Sequence, residues 1–392
     1  MRTRIFHGYP AWQMSGVNVW SVNMACESVD DPDFEHSMLI TGVPAGRIPE
    51  LDARGIAYTY LAVPPSRRRH DEWKALKDFL ESNAPCIYLP NYDFHRASAL
   101  GTLSREVRVC SVVHSDEACY YNQLTRVGRA CDAIVAVSEQ IEKTLHSRFP
   151  DFSARVRRIP YGVPEVGPRQ GSEATRRPMR LAYCNRLAKY QKRVLDLPEV
   201  CRELVRLGTD FHLTVAGEGP DERELEAKFK TAGVADRVTM TGRLGADAVR
   251  DLLLSSDVFL LTSDFEGLPM SLLEAMACGC VPVVYEIASG VRDAVKDGSN
   301  GILARHGEPL RLADGIHRLD SDRDFLSRLS RGAIQTHAEK FSVRRMAADY
   351  RLLFSDLMTK PRIGVARDGR IRRPRDLKLY YRALRKVGLV RR

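Results

Sequence analysis

Residues Ser263 to Val284 read SDFEGLPMSLLEAMACGCVPVV, an almost wholly apolar stretch that keeps two carboxylates, Glu266 and Glu274, eight positions apart. A carboxylate taken out of water needs a counter-charge or hydrogen-bond donors. A polyol supplies such donors, because one carboxylate can accept from two adjacent hydroxyls. The preceding DVFLLTS reads as a strand and DFEG as its exit loop, so Glu266 falls at a strand's carboxyl end. Pro269 suits the first turn of a helix over PMSLLEAMAC, which puts Glu274 about a turn and a half along it. On that helix Ser271, Glu274, Ala275 and Cys278 share one stripe, and Met270, Leu272, Leu273, Met276 and Ala277 cover the remainder. Spacing alone leaves two readings open for Glu274. It either faces water, or is packed on most sides and bound to a ligand's hydroxyls.

Residues suited to an anionic ligand also follow strands. In CNRLAKYQKR, Arg186 comes just after MRLAYC and Lys192 six residues later. Two cations there either clamp a diphosphate or stand solvated in a loop. VAGEGPDE places Gly217 and Gly219 after a strand, but Glu222 stands where a dinucleotide fingerprint needs its third glycine. A nicotinamide cofactor is therefore poorly supported, and a tight turn suffices. In the first half, MSGVNVWSVNMA opens a helix with Gly16 at the turn, either a phosphate-approaching N-terminus or a plain capped turn. VRVCSVVHSDE leaves His114 at the end of a strongly apolar strand, with Asp116 beyond it as an N-cap or a ligand contact. Tyr92, Asp93 and His95 follow CIYLPN in the same way, as candidates for the acceptor side.

What must position these residues is an alternation of short apolar runs and helical patterns. RTRIF, SMLITGV, AYTYLAV, CIYLP, VRVCSVVH and DAIVAVS predict one series of strands. MRLAYCNRL, DFHLTVAG, RVTMTG, DVFLLTS and CVPVVYEI predict a second. Runs rich in Val, Ile and Leu without strict alternation imply parallel sheets, with crossover helices such as DEWKALKDFLESN and SEQIEKTLHSRF. A chain of 392 residues suits two domains, and IPYGVPEVGPRQGSEATRRP is the best linker. The expected architecture is two doubly wound α/β domains facing a cleft, with ligands at the carboxyl ends of strands. No run of about 18 apolar residues is present, and MRTRIFHGYPAW lacks a signal peptide's apolar core. Nine cysteines without paired metal-ligand spacing read as reduced thiols of a cytoplasmic protein.

EGLPMSLLE resembles the E-x7-E signature of retaining GT-B glycosyltransferases of group 1, the family that includes bacterial glycogen synthases and many polysaccharide-building enzymes. ACGCVPVV, SGVRDAVKDGSNGIL and LTVAGEGPDERELE resemble that family's pattern as well. The resemblance implies a nucleotide-sugar donor of the UDP or GDP type, as a substrate and not a cofactor. It implies Glu274 on the ribose, Glu266 with Gly267 and Leu268 on the donor sugar, and Arg186 and Lys192 on the phosphates. It also implies Leu244 of TGRL beside the base, Gly16 near a phosphate, and His114 beside the donor sugar as a positioning or charge-stabilising group. Two departures stand out: Asn185 precedes Arg186 where Gly is common, and Ser15-Gly16 replaces two adjacent glycines.

The domains so implied are residues 1–160 on the acceptor side, a linker at 161–178, and a nucleotide-sugar-binding domain at 179–342. A helix crossing back at 343–359 and a tail at 360–392 complete the chain. Transfer in the family retains anomeric configuration, so the two glutamates are ligands and not a glycosidase-like acid–base pair. The chemistry expected is metal-independent, with cations and helix dipoles stabilising the leaving diphosphate. The Asp-x-Asp pairs, Asp31/Asp33 and Asp320/Asp322, sit in polar segments away from these motifs.

The net charge of +10 is local. Residues 360–392 hold 13 Lys+Arg against two Asp+Glu, leaving 47 basic and 48 acidic residues elsewhere. In DLKLYYRALRKVGLV, Leu377, Tyr380, Tyr381, Leu384 and Val387 share one helical face, opposite Lys378, Arg382, Arg385 and Lys386. Such a helix suits an anionic membrane surface, where a peripheral enzyme would meet a lipid-linked acceptor. A helix docked on the body and a disordered tail are the other readings. A neutral body makes nucleic acid an unexpected partner. The function expected is sugar transfer from a nucleotide-sugar to a glycan or lipid-linked acceptor. The alternatives are another GT-B-shaped enzyme, a phosphorylase or a nucleotide-sugar epimerase, or a non-catalytic sugar- or nucleic-acid-binding protein.

Overall fold

The computed structural model describes residues 2–12, 15–42, 46–61, 69–93, 96–167 and 178–360. In its first half lie β1 (Thr3–Tyr9), β2 (Phe34–Ile40), β3 (Tyr58–Tyr60), β4 (Cys86–Leu89), β5 (Val107–Val113), β6 (Ala133–Ala136) and β7 (Val156–Arg158). In its second lie β8 (Met179–Cys184), β9 (Phe211–Ala216), β10 (Val238–Gly242), β11 (Val258–Leu261), β12 (Val281–Glu286) and β13 (Ile302–Arg305). The first set pairs in the order β3-β2-β1-β4-β5-β6-β7 and the second in the order β10-β9-β8-β11-β12-β13. Every pairing is parallel, β8 matching β9 from Met179↔Phe211 to Cys184↔Ala216.

Burial explains why these strands do not alternate in sequence. Leu181, Ala182 and Tyr183 of β8, Val258, Phe259 and Leu260 of β11, and Val283 and Val284 of β12 are all enclosed. Helices cover both faces of such a sheet, so neither face needs polar residues. Strand β10, at an edge, alternates half-buried and exposed positions instead. Two strands that the sequence pattern does not announce, β7 and β13, are also short edge strands.

The chain divides into two compact units. Residues up to Gly162 join those from Val343 onward in one, and Val163–Ser342 form the other. The first crossing falls within the expected linker, of which residues 168–177 lie outside the described set. The helix Val343–Thr359 belongs to the first unit. There Tyr350 packs on Trp20 with ring centroids 5.6 Å apart, and Phe354 on Phe34 at 5.8 Å. Arg351 reaches Asp31 at 3.2 Å and Asp33 at 2.6 Å. The expected tail helix and His95 lie outside the described residues. Among the described residues no helix is long and apolar enough to cross a membrane. None of the nine cysteines is bonded to another.

The second sheet rests on a close backbone approach that only glycine allows. Gly217 has φ 148°, and a Cβ there would stand 2.0 Å from the Asn185 carbonyl oxygen. A Cβ on Gly219 would meet the Leu187 carbonyl at 2.2 Å. Gly233 also has positive φ, 69°, but with open space around it. Gly217→Ala is therefore expected to lose about 2–4 kcal/mol in urea unfolding, and Gly233→Ala only about 1 kcal/mol. Equal losses would contradict the packing account.

Candidate active site

In a parallel sheet all strands end on one edge, so their exit loops stand in a row. In spatial order this row carries Leu244 after β10, Gly217 after β9, Asn185 and Arg186 after β8, Glu266 after β11, Ser289 after β12 and His306 after β13. Backbone hydrogen bonds tie neighbours together. Gly217 N–H donates to Gly242 O at 2.8 Å, Leu187 N–H to Glu218 O at 3.0 Å, and Asp264 N–H to Gln191 O at 2.8 Å. Gly290 N–H donates to Gly267 O at 2.8 Å, and a Cβ on Gly290 would meet that oxygen at 2.5 Å. Gly217 and Gly219 thus allow the loops to pack backbone against backbone. Leu244 is half-buried in its loop, and Leu268 is enclosed.

Two of the predicted residues meet directly. Lys192 Nζ lies 2.6 Å from Glu266 Oε1, with side-chain exposures of 12% and 8%. Ser263 Oγ donates to the same oxygen at 2.6 Å. Lys192 Nζ also donates to Asn185 Oδ1 at 3.0 Å, and Ser271 Oγ donates to that oxygen at 3.1 Å. Arg186 donates to Gln191 Oε1 at 3.1 Å. Lys192 closes the short helix Lys189–Lys192, and a 3-10 turn at Val194–Asp196 leads into the next long helix, Leu197–Arg206.

Between them stands Arg193, with φ 43°, the one non-glycine residue of positive φ among those described. Such a backbone costs about 1 kcal/mol and needs outside support. Arg193 bonds Asp196 at 2.9 Å and Asp264 at 3.5 Å. Asp264 in turn meets His306 Nε2 at 2.8 Å, and Asp196 accepts from the Tyr285 hydroxyl at 2.8 Å. This network joins the exits of β8, β11, β12 and β13. Nothing in the spacing of the sequence marks it.

Glu274 differs from Glu266 in having no hydrogen-bonding partner among the described residues. It sits on the helix Met270–Ala277, whose Met270, Leu272, Leu273, Ala275, Met276 and Ala277 are buried. Glu274 itself is half-buried. Desolvation pushes its carboxyl up to about 7. The helix begins at Pro269, which makes no side-chain cap bond, and its first turn has no acidic residue. Its first turn meets the Asn185–Lys192 cluster through the Ser271 hydroxyl, which places the positive end of the helix dipole beside it.

The other predicted residues belong to the first unit. His114 is 5% exposed at the end of β5. Its Nδ1 lies 2.6 Å from the Tyr161 hydroxyl and its Nε2 3.0 Å from Asn91 Oδ1. An amide oxygen only accepts, so Nε2 carries the proton and Nδ1 accepts from Tyr161. Burial pushes the imidazole down to about 3. Burial thus favours the neutral imidazole near pH 7.

Gly16 is the first residue of the helix Gly16–Glu27, which Ser15 caps by accepting from Asn18 N–H. Asp93 is enclosed and paired with Arg96 at 3.3 Å. Tyr92 is half-buried, 6.3 Å from the His114 ring. Asp116 accepts from the Tyr121 hydroxyl. The Asp-x-Asp pairs do structural work: Asp31 and Asp33 hold Arg351, Asp320 holds Arg323, and Asp322 caps the helix Arg323–Lys340.

Two parallel Rossmann-like sheets of this order define the GT-B fold. A crystal structure of TarM from S. aureus, in complex with fondaparinux, α-GlcNAc-glycerol and UDP, superposes with TM-score 0.77 at 12% identity, covering 91% of this chain and 100% of that one. Within that fold, residues 169–336 match the family described as glycosyl transferases group 1. Two relatives are the α-D-kanosaminyltransferase of Streptomyces kanamyceticus, 26% identical over 225 residues, and the N-acetyl-α-D-glucosaminyl L-malate synthase of Bacillus anthracis, 29% identical over 173. The aligned stretches cover 55% and 44% of this chain and span 58% and 44% of those proteins.

The environment of Glu274 gives a signed expectation. Its folded carboxyl titrates above its ordinary value, so the folded state binds more protons than the unfolded one between about pH 4.5 and 7. Stability contributed by the neutral form is complete below that window and lost as pH rises through it. Glu274→Gln should unfold like the parent below pH 4 and gain about 1–3 kcal/mol at pH 8 in urea titrations. A constant difference at all pH values would contradict an unpaired carboxylate.

Proposed function

We propose that the chain transfers a sugar from a nucleotide-sugar to a glycan or lipid-linked acceptor, with retention of configuration and without a metal. The observation that carries this reading is the contrast between the two glutamates of the second unit. Glu266 is held against Lys192, whereas Glu274 has a desolvated carboxylate and no side-chain partner among the described residues. An unmade interaction of that kind is costly unless a ligand completes it. Vicinal ribose hydroxyls supply two donors to one carboxylate, and the donor's diphosphate then falls toward Lys192, Arg186 and the uncapped helix N-terminus. Leu244 would flank the base, and Glu266 with Gly267 and Leu268 would take hydroxyls of the sugar.

In this reading the bond from the anomeric carbon to the leaving phosphate oxygen breaks as the acceptor oxygen bonds the same face. The acceptor's proton passes to the leaving phosphate. Lys192, Arg186 and the helix dipole stabilise the charge gathering on the diphosphate. The names of the two relatives specify α-linked sugars, and TarM was crystallised with UDP. These support α-transfer from a UDP-type donor, with GDP as the alternative base. Residues 360–392 would bring the protein to an anionic membrane face.

Donor binding should pull Glu274 toward its ionised form, because hydroxyl donors favour the carboxylate. Calorimetry at pH 7 in buffers of different ionisation enthalpy should therefore show net proton release with UDP-glucose or GDP-mannose, whichever binds. The affinity should be unchanged by EDTA and at least about 10-fold weaker in Glu274→Ala. Binding that needs a divalent metal, or that ignores the substitution, would overturn the assignment.

A further inference from the structure

The cluster around Lys192 includes a buried amide nitrogen, Asn185 Nδ2, that no described residue bonds. Asn185 Oδ1 accepts from both Lys192 Nζ and Ser271 Oγ. Two donors on one side fix the amide's orientation, since the flipped form would set NH2 against an ammonium and a hydroxyl. The Nδ2 amino group is then a buried donor without a hydrogen-bond partner among the described residues. It lies roughly 2.3 Å from Oδ1 by amide geometry, so it belongs to the same cluster as the Lys192 ammonium. A buried amide donor left unpaired costs about 1–3 kcal/mol. Native proteins keep few such groups, and those they keep cluster where a ligand arrives.

We propose that Asn185 is a third ligand of the donor's diphosphate, its Nδ2 donating to a phosphate oxygen beside Lys192 and Arg186. This rests on the nucleotide-sugar reading above. Three features select a phosphate. The unused group is a donor, and a phosphate oxygen only accepts. Lys192, Arg186 and the N-terminus of the helix Met270–Ala277 set positive charge beside it, against the one carboxylate of Glu266. Asn185 is also held to that helix's first turn through Ser271. A phosphate oxygen that accepts from Lys192 has a second lone pair for the Asn185 Nδ2 donor. Glycine at this position could not bond Lys192, Ser271 or a phosphate through its side chain.

The test uses Asn185→Asp and Asn185→Ala in the full chain, with UDP against UMP, or GDP against GMP if the parent prefers guanine. Aspartate keeps the shape, strengthens the contact with Lys192 and replaces the donor by an acceptor. Its melting temperature should equal or exceed the parent's, while diphosphate affinity falls more than about 10-fold. Monophosphate affinity should change less than about 3-fold. Asn185→Ala should show the same preference for losing the diphosphate. Variants that bind UDP like the parent, or lose both nucleotides equally, would overturn the role of Asn185 while leaving the donor site standing. A parent that binds neither base's diphosphate would overturn the functional reading and this inference with it.

Discussion

Everything at the candidate site depends on one constraint: six parallel strands release their chains at the same edge. Exit loops in such a sheet have no strand partner, and their backbone groups must find one another. Here they do, across the exits of β8, β9 and β10 through Gly217 and Leu187, and across β8 and β11 through Gln191 and Asp264. The glycines stand where neighbouring backbones come too close for a Cβ. A rigid row of loops results, and short polar side chains within it hold fixed positions.

That rigidity lets two carboxylates on one segment do different things. Glu266 sits in a loop that Lys192 and Ser263 can reach, so its charge is answered by the protein. Glu274 sits on a helix whose other faces are buried, beyond the reach of any cation among the described residues. Its raised titration follows from desolvation alone. Pairing would have made Glu274 a structural residue, and full exposure would have made it a solvated one. Half-burial without a partner is the state that a ligand can complete. Lys192, by contrast, would in the proposed function exchange part of its bond to Glu266 for a phosphate, beside a backbone that Arg193 and its two aspartates hold.

Much of this was legible in the sequence because strands buried on both faces leave uninterrupted apolar runs. The placement of Glu266 in a loop and Glu274 on a helix follows from DVFLLTS, Pro269 and the 3.6-residue period. The edge strands β7 and β13 were not legible, because strands of three and four residues carry too little pattern. The Arg193–Asp264–His306 network joins residues 71 and 42 positions apart and leaves no periodic trace. Asn185 was visible as a departure from glycine, but its use as the acceptor for Lys192 and Ser271 required the fold. The place of His114 at a strand end is legible in the sequence, whereas its burial and its bonds to Tyr161 and Asn91 are not, because spacing does not connect these residues.

The most direct test is a crystal structure of the chain with a bound nucleoside diphosphate. The account predicts one carboxylate, Glu274, within hydrogen-bond distance of both ribose hydroxyls, at about 2.6–3.0 Å. It also predicts Lys192 on a phosphate oxygen. A nucleotide seated elsewhere, or a ribose that leaves Glu274 untouched, would contradict it.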